Sequence, residues 1–144
     1  MATTTKALGD EAEAQALAYL QAAGLRLVAR NFRTPRRGGG EIDLIMREPA
    51  PLQALPAGQP ATLVFVEVRR RRHTRFGGAA ASVSATKQRR IVFAAQHFLS
   101  RVARANPQWQ APPCRFDVVT VEPGAPEPVQ WLRGAFDASG SGWY

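Results

Sequence analysis

Two neighbouring apolar stretches, each interrupted by a carboxylate, constrain the fold of this chain more than any other feature. The first covers residues 40–46 and carries Asp43, and the second covers residues 63–69 and carries Glu67. We interpret both as strands, because they are short apolar runs of strand length. An ionised carboxylate in an apolar setting is costly unless it is paired, hydrogen-bonded or bound to a metal. We therefore expect Asp43 and Glu67 each to have an ion-pair partner, a hydrogen-bond donor or a metal ion beside it.

The spacing within the second strand predicts which side chains share a face. Side chains alternate across a strand, so Phe65, Glu67 and Arg69 are expected on one face and the three valines, at 64, 66 and 68, on the other. We expect the valine face to be the core. Glu67 and Arg69 would then project together and converge with Asp43 if its strand lies alongside. Carboxylate oxygens suit Mg²⁺ or Mn²⁺, and the alternative is an ordinary cross-strand salt bridge with an arginine.

A third carboxylate, Glu13, lies in the N-terminal segment. Residues 8–23 have the pattern of an amphipathic helix, whose apolar side chains form one continuous arc at about 100° per residue. Glu13 falls inside that arc, so we expect it to face the protein and to join the other two acids. The alternative is an acid that caps or edges the helix, turns to water or pairs with an arginine.

A run of arginines follows the second acidic strand. Arg70, Arg71, Arg72 and Arg75 are candidates for contacts with backbone phosphates, as is Lys87 on the polar face of a later helix. A solvated charge run is the alternative. Because aromatic residues beside the run are sparse, base stacking has little support, and recognition of nucleic-acid shape is favoured.

Charge points to a polyanionic partner. The formal net charge is +8 and the isoelectric point is about 11.2, which favours phosphate binding and makes nucleic acid the expected partner. The competing explanation is compositional, because arginine greatly outnumbers lysine and Ala, Pro and Gly are abundant, as a high-GC coding bias produces. Some of the arginine is then incidental.

Length and cysteine content set further bounds. The 144 residues suffice for a single domain over 1–144 with a real core. Cys114 is the only cysteine, which excludes an internal disulfide and a multi-cysteine zinc site. With no signal-peptide pattern and no membrane-spanning run, we expect a cytoplasmic protein without a membrane partner. The oligomeric state is open, a homodimer included.

The remaining patterns complete an α/β expectation. We predict the order helix, three strands, helix, strand, followed by a short edge strand, and a mixed central sheet flanked by helices. The boundaries are a strand over 25–32, a mobile hairpin loop over 48–61, a helix capped by Ser82 or Ser84, a buried strand over 116–121, the edge strand over 129–132 and a flexible tail over 137–144.

In chain order, these motifs resemble the YraN family of small bacterial proteins over nearly the whole chain. The resemblance rests on Glu13 and its helix, ARNFR at 29–33, GEIDLI at 40–45, VFVEVR at 64–69, Lys87 and RFDVV at 115–119. That family is similar to the restriction-endonuclease-like superfamily, and to archaeal Holliday junction resolvases in particular. Their site pairs an acid with a Glu-x-Lys motif on the next strand.

The resemblance implies a metal-dependent endonuclease acting on DNA, with branched or junction DNA as one substrate class. It implies that Asp43 and Glu67 ligate Mg²⁺ or Mn²⁺, that Glu13 assists directly or through water, and that residue 69 is the basic catalytic residue.

The chain departs from the superfamily pattern at Arg69, where lysine is usual. A guanidinium can stabilise charge but cannot act as a base. A nucleic-acid-binding protein with weak or absent catalysis is therefore the second candidate function. The extra glycines before the first acidic strand are expected to alter only the loop.

Overall fold

The computed structural model describes residues 4–35, 39–53, 56–71, 83–105 and 112–138. Two helices and five strands follow one another in the predicted order. They are α1 (Thr5–Ala22), β1 (Arg26–Arg33), β2 (Glu41–Glu48), β3 (Thr62–Arg70), α2 (Ala85–Ala105), β4 (Cys114–Val121) and β5 (Val129–Phe136). The last strand is longer than expected, because its pairing with β4 continues past residue 132 to the partners Phe116 and Phe136.

The five strands form one mixed sheet in sequence order, β1-β2-β3-β4-β5. The first three make an antiparallel meander, β3 and β4 are parallel, and β4 and β5 are antiparallel. Parallel neighbours require a crossover connection, and the segment that contains α2 supplies it. The segment between β2 and β3 therefore joins antiparallel neighbours, as a hairpin loop does.

Both helices begin at a capping side chain, and that of α2 is one of the two serines predicted to cap it. Thr4 Oγ1 accepts the N–H of Ala7 at 3.1 Å at the start of α1, and Ser84 Oγ accepts the N–H of Lys87 at 3.1 Å at the start of α2. These bonds satisfy N–H groups that have no partner within the helix. The other proposed cap, Ser82, lies outside the described residues. No helix in the described ranges is long and apolar enough to cross a membrane.

Both faces of the sheet are buried, which corrects the expectation that only the valine face of β3 is core. Leu63 and Phe65 lie in a hydrophobic cluster with residues of α2, whereas Val64 and Val66 lie in a second cluster with residues of α1. All four side chains are 0% exposed. Alternation along β3 therefore separates two cores, and it does not separate a core from solvent.

Aromatic rings link α2 to the sheet. Phe98 of α2 makes edge contacts with Phe32 and Phe65, at centroid distances of 5.3 and 6.2 Å. Phe65 stacks on Phe116 at 5.5 Å, and Phe116 stacks on Phe136 at 5.1 Å. The series reaches from β1 to β5 and fixes α2 over one face, since aromatic pairs add about 0.5–1.5 kcal/mol each to the effect of burial.

A buried acid near the start of β4, next to Phe116, has all its charge taken up by hydrogen bonds within the fold. Asp117 is 0% exposed and accepts two hydrogen bonds from Arg115, at 2.8 and 3.0 Å, one from Trp131 Nε1 at 2.8 Å and one from the Gly134 N–H at 2.9 Å. Arg115 also binds Glu48 at 2.7 Å, which ties the end of β2 to β4. The hydrogen bonds and ion pairs of this network offset the free-energy cost of burying the Asp117 carboxylate.

A close backbone approach positions α2 against the start of β2. A Cβ atom at Gly40 would overlap the carbonyl oxygen of Arg90 and crowd the side chain of Ala94. Gly40 is therefore a packing requirement, and the expectation that the glycines alter only the loop is wrong for this residue. Because Gly40 lies three residues before Asp43, the contact also fixes where the first acid sits relative to α2.

We predict that Gly40→Ala lowers the free energy of unfolding by about 1–3 kcal/mol, because the new methyl group overlaps backbone that cannot yield cheaply. Gly9→Ala is the matched control. Gly9 lies within α1 with open space around its Cβ position, so that change should stabilise the protein by about 0.5–1 kcal/mol. Urea denaturation of both variants measures the difference. Equal stabilities would contradict the close approach.

Candidate active site

The acids of the candidate site lie where the pairing of β2 with β3 stops. The register between these strands runs from Glu48↔Thr62 to Leu44↔Val66. Beyond that pair, Asp43 Oδ2 accepts the backbone N–H of Val68 at 2.8 Å. The carboxylate thus takes a hydrogen bond from the neighbouring strand, and this bond orients Asp43 along the end of β3.

Side-chain alternation is broken around Asp43. Ile42 and Ile45 belong to the same core cluster although they are three residues apart. On β1, Asn31 faces this region and has a positive φ of 51°, which is uncommon for a residue other than glycine. The irregularity lets Asp43 leave the core and reach a cleft, which strict alternation from Ile45 would not predict.

Glu67 is almost fully buried, with 3% of its surface exposed, and it holds two cations. Lys87 Nζ lies 2.9 Å from Glu67 Oε1, and Arg69 Nη1 lies 3.6 Å from the same oxygen. Arg69 comes from the same face of β3, whereas Lys87 comes from the first turn of α2. A buried carboxylate requires such pairing, and here two elements provide it.

The two acids interact strongly. Burial, with the Glu67 carboxylate beside it, raises the pKa of Asp43 to about 8, although the hydrogen bond from Val68 opposes the shift. Two carboxylates that share a site cannot both ionise easily, so the pair favours a bound proton or a bound cation.

A cleft of about 530 Å³ surrounds the pair. Its walls combine Asp43 and Glu67 with four cationic side chains, and the residues that line it are Gly39, Glu41, Asp43, Glu67, Val68, Arg69, Arg70, Lys87, Arg90 and Ile91. Cationic walls around a pair of acids can bind a phosphodiester while the acids bind a metal ion. Sequence reasoning assigned no site role to Glu41 or Arg90. Glu41 could have been identified as a cleft residue from its position two residues before Asp43 on the same strand.

Glu13 lies on the other side of Asp43. It lines an adjoining cleft of about 420 Å³ that shares Glu41, Asp43 and Val68 with the first. Its Oε1 atom is buried with no hydrogen-bond partner, and burial raises the pKa of Glu13 while Arg30 opposes the shift. The prediction that Glu13 faces the protein agrees with this position. Asp43 and Glu67 line one cleft together, and Glu13 approaches from the next.

Asp43 and Glu67 could supply two carboxylate ligands to a divalent cation. Mg²⁺ usually keeps several waters and binds through one or two carboxylates, so Asp43 and Glu67 match its needs. A cation would also relieve the repulsion that raises the pKa of Asp43. In the described parts of the chain, no group of three or more Asp, Glu, His or Cys side chains is arranged to hold a metal. Water would supply the remaining ligands.

The basic run is described only in part. Arg70 is exposed and lines the first cleft, and the backbone N–H of Arg71 donates to Val121 O at 2.8 Å. Arg72 and Arg75, predicted to bind phosphate, lie outside the described residues. Lys87, predicted as a phosphate contact on a helix surface, is also an ion-pair partner of Glu67. The Ser84 cap predicts that Lys87 lies in the first turn of α2. The sequence does not predict that Lys87 contacts Glu67 of β3.

Comparison with known proteins identifies relatives along most of the chain. The model of the uncharacterised protein family UPF0102 matches residues 12–121. A UPF0102 protein of Verminephrobacter eiseniae is 57% identical, covering 94% of this chain and 81% of the relative. One of Albidiferax ferrireducens is 56% identical, covering 94% of this chain and 91% of the relative. Since the family model spans both acidic strands, α2 and β4, the chain that carries this site belongs to the UPF0102 family.

Proposed function

We propose that this protein is a metal-dependent endonuclease that hydrolyses phosphodiester bonds in DNA, with branched or junction DNA as the substrate class. The observation that carries the proposal is the pair of carboxylates, Asp43 and Glu67, which line one cleft together with four cationic side chains. Two neighbouring carboxyl groups, of which Asp43 has a raised pKa, suit a divalent ion, and the surrounding cations suit the charge of a phosphodiester.

The proposal includes the YraN family and a restriction-endonuclease-like core. Three features support this assignment. The sheet is mixed, its two acids come from adjacent strands, and a helix that precedes the strands brings a third acid, Glu13, to the neighbouring cleft. Arg69 stands two residues after Glu67, at the spacing of the basic residue in the Glu-x-Lys motif, and its Nη1 lies 3.6 Å from Glu67 Oε1.

In the proposed reaction, the cationic walls bind and orient the DNA backbone. Asp43 and Glu67 would hold Mg²⁺ or Mn²⁺, and Glu13 would assist directly or through water. When bound, the metal ion lowers the pKa of water and polarises the phosphoryl group. The water oxygen bonds to phosphorus while one ester P–O bond breaks. One water proton ends on the released hydroxyl, and the other is lost to solvent as the new monoester ionises. Arg69 stabilises charge but does not accept the proton.

A nucleic-acid-binding protein without catalysis is the second candidate. The observation that favours it is the neutralisation of Glu67 by Lys87 and Arg69, since a carboxylate that is already paired binds a metal ion less readily. The fold and cationic cleft would then serve phosphate binding alone, and affinity for DNA would depend on salt but not on divalent metal.

We predict that the wild-type protein cleaves flapped or four-way junction DNA with Mg²⁺ or Mn²⁺, and that a chelator abolishes the cleavage. Asp43→Asn and Glu67→Gln should each lower the rate by about 10²-fold or more, because each removes a charged ligand from the site. Glu127→Gln, in an exposed turn, is the matched control and should cleave at the wild-type rate. Gel assays on linear, flapped and junction substrates measure the effect.

Wild-type protein that binds these substrates but cleaves none of them with either metal would overturn the nuclease proposal in favour of the binding protein. Cleavage that persists in Asp43→Asn and in the chelator would indicate a contaminating enzyme.

The raised pKa of Asp43 predicts how stability depends on pH without metal. Because the folded state holds this proton more tightly than the unfolded state, the stabilisation is full below the ordinary pKa near 4 and is lost as pH rises through about 8. Asp43→Asn removes this dependence and keeps an acceptor for Val68. At pH 8 it should therefore be about 1–3 kcal/mol more stable than wild type, as urea denaturation measures.

Stability without metal falls as pH rises, whereas the stabilisation by a bound metal ion should increase as pH rises. A divalent ion must displace the proton on Asp43, so Mn²⁺ should raise the thermal midpoint of the wild type more at pH 8 than at pH 6. Asp43→Asn should lose most of this effect. An equal effect of Mn²⁺ on both proteins would remove Asp43 from the ligand set.

The basic run predicts the salt dependence of DNA binding. If Arg70, Arg71, Arg72 and Arg75 contact phosphates, replacing all four by alanine should flatten the slope of log affinity against log salt by up to about one unit per lost contact. Arg26→Ala, at the exposed start of β1 near the opposite end of the sheet, is the control for loss of charge alone. Fluorescence anisotropy measures both slopes. A fourfold variant with the wild-type slope would show that these arginines are only solvated.

A further inference from the structure

We propose that Lys87 of α2, rather than Arg69 of β3, is the catalytic cation that contacts the reacting DNA phosphate. The inference rests on the proposed function, but it assigns the role of the basic catalytic residue to Lys87 and not to Arg69. Two distances to one atom carry it. Lys87 Nζ is 2.9 Å from Glu67 Oε1, which is a charge-assisted hydrogen bond, whereas Arg69 Nη1 is 3.6 Å away, beyond ordinary hydrogen-bonding distance.

Local contacts fix the backbone around Lys87. The position of its ammonium group therefore follows from the fold, and not only from the reach of a long side chain. Ser84 Oγ accepts the Lys87 N–H at 3.1 Å, and Gln88 Nε2 donates to Val83 O at 3.0 Å. One helical turn later, Arg90 approaches Gly40 so closely that no side chain fits there. These contacts hold the first turn of α2 beside β2 and β3, with Lys87 directed at Glu67.

Lys87 also has the exposure that a phosphate contact needs. Its side chain is 45% exposed and lines the first cleft, while the carboxylate that it binds is 4% exposed. The ammonium therefore bridges a buried acid and the open cleft. If it turns to a phosphate, Arg69 remains within ion-pair distance of Glu67, so the buried charge keeps a partner.

The residue type is unusual for this chain. Lysine occurs only at positions 6 and 87 among the 19 basic residues, and arginine occupies the others. An ammonium is a compact charge with rotatable donors, whereas a guanidinium spreads its charge over a planar fork. A compact donor can move between a carboxylate and one phosphate oxygen. As water bonds to phosphorus and the ester bond breaks, negative charge grows on that oxygen, and Lys87 stabilises it.

Single-turnover cleavage at saturating junction DNA tests the assignment. Lys87→Ala should lower the rate by about 10²–10³-fold, and Arg69→Ala by about tenfold or less. Because the DNA is saturating, a loss of affinity in either variant does not lower the measured rate. Arg89→Ala removes a charge from an exposed position two residues further along α2 and should cleave at the wild-type rate. Adding Arg69→Lys to Lys87→Ala should restore part of the lost rate, because an ammonium then returns to Glu67 from β3.

Two results would overturn the assignment. One is a larger rate loss in Arg69→Ala than in Lys87→Ala, and the other is a loss in Lys87→Ala no greater than in Arg89→Ala. If Lys87→Ala unfolds, Lys87→Arg keeps the charge and the pairing of Glu67, and its rate should still fall below that of the wild type. A Lys87→Arg variant with the wild-type rate would then count against a specific role for the ammonium.

A second measurement does not depend on cleavage. Bound DNA should slow the acetylation of Lys87 more than that of Lys6, as mass spectrometry of the two peptides reports. If the wild type cleaves nothing, the proposed function fails, and protection of Lys87 would still identify it as the cation that binds phosphate at this site. Equal acetylation of Lys87 with and without DNA would overturn that contact whatever the cleavage assay gives.

Discussion

The hydrogen bond from the Val68 N–H to Asp43 is the interaction on which the candidate site depends. It stands where the β2–β3 pairing reaches Leu44 and Val66, and it links the two acidic strands through a side chain. Because the bond holds Asp43 beside the end of β3, it also holds it beside Glu67. Without it, repulsion between the two neighbouring carboxylates would favour their separation, and the proposed cation site would lose its pair of ligands.

Two groups of buried acids in this sheet have opposite designs. Asp117 has four hydrogen bonds from three residues, and each strand that it touches is held in place by them. Asp43 has one backbone donor and a neighbouring acid, so its charge is poorly compensated. Buried charges that are fully bonded serve the fold, whereas charges that are left strained and open to solvent are typical of functional sites. The same sheet therefore holds a fully bonded structural acid, Asp117, and a poorly compensated one, Asp43.

The sequence predicts the elements and their order well, because each helix and strand shows its own periodicity and the motifs of the resemblance fall on them. It also places Asp43 and Glu67 on adjacent strands and Glu13 toward the protein. It cannot show that Gly40 meets Arg90 or that Lys87 reaches Glu67, since both contacts depend on how α2 crosses the sheet. The sequence also does not show that the sheet has a core on both faces. Alternation in β3 gives two faces, but only the packing of the two helices decides that both are covered.

The hairpin loop between β2 and β3 leaves the sheet at the end away from the acids. Asp43 and Glu48 are five residues apart on β2, so the loop begins about 17 Å from the cleft. Leu52 in this loop is 99% exposed. Burial raises the pKa of the Cys114 thiol to about 11, which keeps it poorly reactive at neutral pH. A cysteine introduced at position 52 would therefore accept a fluorophore or a surface tether selectively, and an immobilised molecule would present its cationic cleft to the solution.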